Sequence, residues 1–125
     1  MYEDEFAIAF LNRFPVVEGY VLVAPREHRE QVTGDFSEDE YVALQRVVHR
    51  VGEALRRAFA PERLYVLSLG SQAANAHTHW HLVPLPAGVP FQRQQLDFLS
   101  WDVQGILDLS DEEMSSIAER IRAQL

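Results

Sequence analysis

An uninterrupted apolar run from Phe6 to Leu11 reads as a buried strand, and it ends at Asn12 to Pro15, where proline fixes a turn. Val16 and Val17, a break at Glu18-Gly19, and the run Tyr20 to Ala24 bounded by Pro25 follow as a second strand. Together they predict an antiparallel hairpin. Ser37 with Glu40 forms a capping box, after which Tyr41, Leu44, Val48, Val51, Leu55 and Phe59 recur at helical spacing until Pro61. Leu64 to Leu69 predicts a third strand, Gly70 to Asn75 a polar loop, and Ala76 to Val83 a fourth strand closed by Pro84 and Pro86. Phe91 to Leu109 is only weakly periodic. Ser110 with Glu113 is a second capping box, opening a helix over 110–125 with Met114, Ile117 and Ile121 on one face, which predicts a tail packed on the domain. The order strand-strand-helix-strand-strand-helix predicts an α+β fold: a mostly antiparallel sheet, one main helix and a C-terminal helix.

Length and composition narrow the chemistry. A chain of 125 residues buries one core, so a single domain over 1–125 is expected. Without cysteine there is neither a disulfide framework nor thiolate chemistry. The apolar runs are too short for a membrane span and the acidic N-terminus is no signal peptide, so a cytoplasmic protein is expected. A net charge of -8 argues against nucleic-acid partners while leaving room for a small phosphorylated ligand. All eleven basic residues are arginine, which excludes a lysine nucleophile.

His77, His79 and His81 alternate with Thr78 and Trp80, and in a strand that spacing sends three imidazoles to one face and Trp80 to the other. Successive rings are then rooted about 6.6 Å apart, so all three do not readily converge on one ion. Two of them plus an outside ligand such as His28 would make a zinc-dependent hydrolase the alternative chemistry. His49 reads as helix surface, and His28 otherwise as local loop structure. Three titratable rings within five residues favour a functional cluster over packing.

The segment His77-Thr78-His79-Trp80-His81-Leu82-Val83-Pro84 resembles the signature of the histidine-triad family, and Tyr2 to Phe10 and Asn12 to Val23 look like that family's first two strands, particularly in its dinucleoside-polyphosphate hydrolase (fragile-histidine-triad-like) branch. The resemblance covers about residues 1–95, leaving 96–125 as a tail. It implies a histidine-triad fold and a nucleotide hydrolase or transferase acting on dinucleoside polyphosphates, phosphoramidates or related nucleotides. In that reading His79 attacks the α-phosphorus, His81 contacts the phosphate and His77 supports the network. Asn75, Ser71 and Gln72 are further phosphate donors, Asn12 holds the ribose, and Phe10 and Leu22 flank the base. No cofactor is required, although a divalent metal can accompany the substrate phosphates, and two chains pair into a homodimer with the main helix at or near the interface. Three features depart from the family pattern. Tyr20 stands where many members carry a fourth histidine backing the first triad residue, the Gly70 to Asn75 loop is about two residues short, and Thr78 replaces a hydrophobic residue. These departures also leave room for a non-catalytic nucleotide-binding module.

Overall fold

In the computed structural model, which describes residues 1–125, five strands form one sheet in the order β1-β2-β3-β5-β4, with every neighbouring pair antiparallel. The expected hairpin is β2 (Ala7–Leu11) against β3 (Val21–Pro25), in register Ala9↔Val23 and Phe10↔Leu22. A short β1 (Tyr2–Glu3) extends the sheet beyond β2, and β4 (Arg63–Ser68) forms the opposite edge. Gly19 sits at φ 79 in the turn before β3, and a Cβ there would lie 2.7 Å from the Phe59 ring. Only glycine allows that turn and that approach together, and the turn delivers Tyr20 to the sheet.

The main helix, α1 (Glu38–Phe59), starts at the expected capping box: the Ser37 hydroxyl accepts from the Glu40 N–H and the Glu40 carboxylate accepts from the Ser37 N–H. It ends at Ala60 in the left-handed region, just before Pro61. Leu44, Val47, Val48, Val51, Ala54 and Leu55 are buried from α1, and they pack with Ala7, Ala9, Val21, Val23, Trp80 and Leu82 of the sheet. Each fully buried aliphatic side chain of this kind contributes about 1.5–3 kcal/mol. The other sheet face carries a smaller cluster of Val16, Tyr20, Val83, Leu85 and Phe98.

The fourth long strand differs from the sequence expectation. β5 runs Trp80–Leu85, so residues 76–79 form a lead-in outside the ladder and Pro84 lies within the strand, opposite Leu64. Pairing of β5 with β3 ends at Leu82, which leaves one side of the strand free at Pro84, and a missing N–H is tolerated at such an edge. The weakly periodic stretch after it holds a single 3-10 turn (Phe91–Arg93) and two one-turn helices, α2 (Leu96–Leu99) and α3 (Trp101–Gln104). The C-terminal α4 (Asp111–Arg122) has the expected Ser110 and Glu113 box, and its Ile117 and Ile121 join the main core. No helix is long and apolar enough to cross a membrane.

Candidate active site

The alternation of the histidine segment survives outside the ladder: Thr78, Trp80 and Leu82 are buried, while His77, His79 and His81 are half-exposed. Trp80 enters the α1 face, where it meets Phe36 and Tyr41 edge-on at 6.0 and 6.2 Å. On the opposite face, the register aligns Phe10, Leu22, His81 and Leu67 in one row across four strands. Phe10 and Leu22 therefore stand beside the histidines, and Phe10 is 39% exposed at the end of the row.

Each imidazole uses its nitrogens differently. His77 has none to spare: its Nε2–H donates to the Pro25 carbonyl at 3.0 Å and its Nδ1 accepts the Arg29 backbone N–H at 3.3 Å. His79 donates Nδ1–H to the His77 carbonyl at 2.8 Å, which leaves Nε2 with a free lone pair. The His79 carbonyl is itself held by the Ser68 hydroxyl at 2.7 Å. His81 lies 4.7 Å from His79 between ring centroids, and its Nδ1 is 2.6 Å from the Tyr20 hydroxyl. The His81 Nε2 is buried and has no partner in the chain.

Burial, reinforced by the neighbouring His79, lowers the pKa of His81 from 6.5 to about 4. Burial also raises the Tyr20 phenol to about 12, against a smaller opposing effect of the Asn12 amide. Both groups are therefore neutral in ordinary buffers. The unfolded chain protonates His81 near 6.5, whereas the folded chain resists until about 4, so falling pH favours unfolding across that window. The melting temperature should be highest above pH 6.5 and fall as pH falls towards 4; in His81→Asn the part of that decline above the carboxylate range should flatten. An unchanged decline in the variant would place its cause elsewhere.

The remaining expected contacts divide. Ser71 and Gln72 border a cavity of about 500 Å³ together with Glu30, Thr33, Ser68 and Thr78, and none of the three histidines lines it. Asn75 is exposed and adopts a left-handed backbone (φ 57), and its carbonyl oxygen would lie 2.9 Å from a Cβ at Gly70. The structure therefore brings Phe10 and Leu22 to the histidines and turns the Ser71-Gln72 loop towards Thr78. The Asn12 Oδ1 accepts the Phe14 N–H at 2.9 Å, and the Asn12 N–H donates to the Tyr20 carbonyl at 2.8 Å, which sets the two residues side by side. Tyr20 backs the third histidine, His81, and not the first as the resemblance implied; His77 is backed by main-chain groups of the 25–29 segment instead.

Sequence reasoning missed Arg29 and Ser68. Arg29 fastens the 26–36 loop by ion pairs to Glu27 and Glu40 and by stacking over Phe36, while its main chain holds His77 and, through a 2.6 Å bond from the Thr78 N–H, the histidine segment. Nothing in the local sequence signals this, because the contacts join segments almost fifty positions apart. Ser68 was legible in principle, since pairing β4 with β5 sets it opposite Trp80. His28 stacks on His77 at 5.2 Å between ring centroids, but no cluster of three or more His, Cys, Asp or Glu side chains is arranged to hold a metal ion.

Known proteins share this architecture. A histidine-triad nucleotide-binding protein from Sulfolobus tokodaii superposes with a TM-score of 0.77 at 26% identity, covering 98% of this chain and 80% of that one. A Hit-like protein from Bartonella henselae gives 0.77 at 23% identity, covering 99% and 84%. In sequence, the chain is 30% identical to protein hit of Bacillus subtilis, covering 97% of this chain and 83% of the relative. It is 32% identical to an uncharacterised HIT-like protein of Saccharolobus solfataricus over 67% of this chain, a match that spans only 62% of that relative's length. Residues 1–87, which contain the whole histidine segment, match the HIT domain, and the chain therefore belongs to the HIT domain family.

Proposed function

We propose that the protein transfers a nucleoside monophosphoryl group to water or another acceptor through a nucleotidyl-histidine formed on His79. The observation that carries this reading is the His79 Nδ1–H bond to the His77 carbonyl, which fixes one tautomer and leaves the Nε2 lone pair to attack. Nε2 forms a bond to the α-phosphorus as the bond from phosphorus to the leaving group breaks, and the leaving group departs with that electron pair. The ring then carries an imidazolium charge, which its hydrogen bond to a carbonyl stabilises. Water completes the cycle by attacking phosphorus, losing a proton and returning neutral His79.

His81 fits the role of donor to the non-bridging phosphate oxygens. Its buried, unpartnered Nε2 costs about 1–3 kcal/mol while it has no partner, and an arriving oxygen removes that cost. Phe10 and Leu22 supply the apolar surface beside it for a base. Relatives further from this chain include an adenosine 5'-monophosphoramidase of Schizosaccharomyces pombe, 29% identical, and a bifunctional adenosine 5'-phosphosulfate phosphorylase/adenylylsulfatase of Arabidopsis thaliana, 31% identical. Their shared element is an adenosine 5'-phosphoryl group joined to a variable leaving group, which supports this half as the common substrate feature and leaves dinucleoside polyphosphates as one leaving-group class among several.

Intact-protein mass spectrometry after rapid quenching with an adenosine 5'-phosphoramidate, or a diadenosine polyphosphate, tests the covalent step. A wild-type adduct of one adenosine monophosphate that resists a chelator is expected. Turnover that stops with chelator and passes through no adduct would replace this reading with a metal-dependent hydrolase.

A further inference from the structure

His79 and His81 must present the same nitrogen in opposite protonation states, one a bare Nε2 for attack and the other an Nε2–H for donation, and they lie in the same segment two residues apart. A main-chain carbonyl settles the tautomer of His79. No carbonyl meets His81, whose Nδ1 faces a hydroxyl that can in principle donate or accept. Something else must decide which way that bond runs.

We propose that Asn12 and Tyr20 form a polarised relay that holds His81 as the Nε2–H tautomer, making both of them positioning residues for the phosphate donor. The direction can be traced from the main chain. The Asn12 Oδ1 is committed to the Phe14 N–H at 2.9 Å, so the amide nitrogen is the end left free to meet Tyr20. The pair is kept side by side by the bond from the Asn12 N–H to the Tyr20 carbonyl at 2.8 Å. When the amide donates to the Tyr20 oxygen, as the relay requires, the hydroxyl has its hydrogen left to give, and His81 Nδ1 lies 2.6 Å away to receive it. Nδ1 is then an acceptor and the ring hydrogen resides on the buried Nε2. Tyr20 is only 6% exposed, so water does not compete for its hydroxyl as it would at the surface. A phenol also stays uncharged where an imidazole in its place would titrate, so the relay keeps one direction throughout the physiological range.

The catalytic meaning of the relay rests on the nucleotidyl-histidine reading, and the test separates the two. Protein labelled with ¹⁵N in the imidazole ring is examined by NMR above neutral pH without substrate, giving the tautomer of each histidine directly. Wild type should show hydrogen on Nε2 of His81 and on Nδ1 of His79. Asn12→Asp keeps the acceptor for Phe14 but offers no N–H, so its second oxygen takes the Tyr20 hydrogen. The Tyr20 oxygen then accepts from His81, and the His81 hydrogen should move to Nδ1. Tyr20→Phe removes the hydroxyl while preserving the buried ring, and His81 should become a mixture of tautomers. With an adenosine 5'-phosphoramidate as substrate, both variants should lose about tenfold or more in kcat with little change in KM, less than the loss of a donor outright. Hydrogen on Nδ1 of wild-type His81, an unmoved hydrogen in Asn12→Asp, or unchanged kcat in both variants would overturn the relay. Absence of a covalent adduct in wild type would remove the His79 reading, while the ¹⁵N spectra would still decide for or against the relay.

Discussion

His79→Ala should lower turnover by about 10⁴-fold or more and abolish the covalent adduct, because no other group presents a free imidazole nitrogen in the same place. His77 has both nitrogens engaged and His81 has its Nδ1 on Tyr20, so neither takes over as nucleophile. The fold should tolerate the change. His79 belongs to neither apolar cluster, and its one internal bond, to the His77 carbonyl, contributes about 1 kcal/mol. Steady-state kinetics beside a urea melt makes the separation: near-wild-type stability with activity gone is the expected pair. Turnover within tenfold of wild type would remove His79 from the chemistry.

Trp80→Ala, one position along, should do the reverse. The indole is 4% exposed and packs edge-on against Phe36 and Tyr41, so it fastens the start of β5, the loop before α1 and the first turns of α1 to one another. Truncating a large buried aromatic leaves a cavity and costs about 3–5 kcal/mol, a large fraction of the roughly 5–15 kcal/mol available to a domain of this kind. Trp101→Ala provides the contrast: that indole is 56% exposed and its change should stay within about 0.5 kcal/mol. Urea midpoints of the two variants check the prediction, and a loss of under about 1 kcal/mol for Trp80→Ala would mean the core repacks around the gap.

These adjacent residues also show what the sequence carries. The alternation of His77, His79 and His81 with Thr78 and Trp80 correctly separates half-exposed from buried side chains, the period of two that a strand imposes. Capping boxes at Ser37 and Ser110 locate both long helices for a similarly local reason. The start of β5 escapes local pattern because strand pairing depends on neighbours far away in the chain: the 76–79 stretch bonds to Arg29 and joins no ladder. Tyr20 is recognisable as a substitution, yet its partner depends on how β3 lies against β5, which sets Leu22 opposite His81 and brings the Tyr20 hydroxyl to the third ring. The loop at Ser71 and Gln72 reads as polar and close to the histidines in sequence, but its sharp reversal, closed by an Ala74 N–H to Ser71 carbonyl bond, directs it to the other side.

The lead-in that carries His77 and His79 is held by hydrogen bonds to Arg29 of a loop and to the strand ends at Pro25 and Ser68, while His81 sits within the ladder. Such an arrangement divides the histidine segment into two parts with different evolutionary freedom. Length changes in the 26–36 or 69–75 loops shift His79 relative to a stationary His81 without breaching the core, so the spacing of the two rings can drift by small steps. Insertions within β5 have no such latitude, since a one-residue slip would exchange the imidazole of His81 for the indole of Trp80 or the side chain of Leu82. Divergence in the geometry of the histidine cluster is therefore expected to be written in the loops, while the strand keeps its spacing.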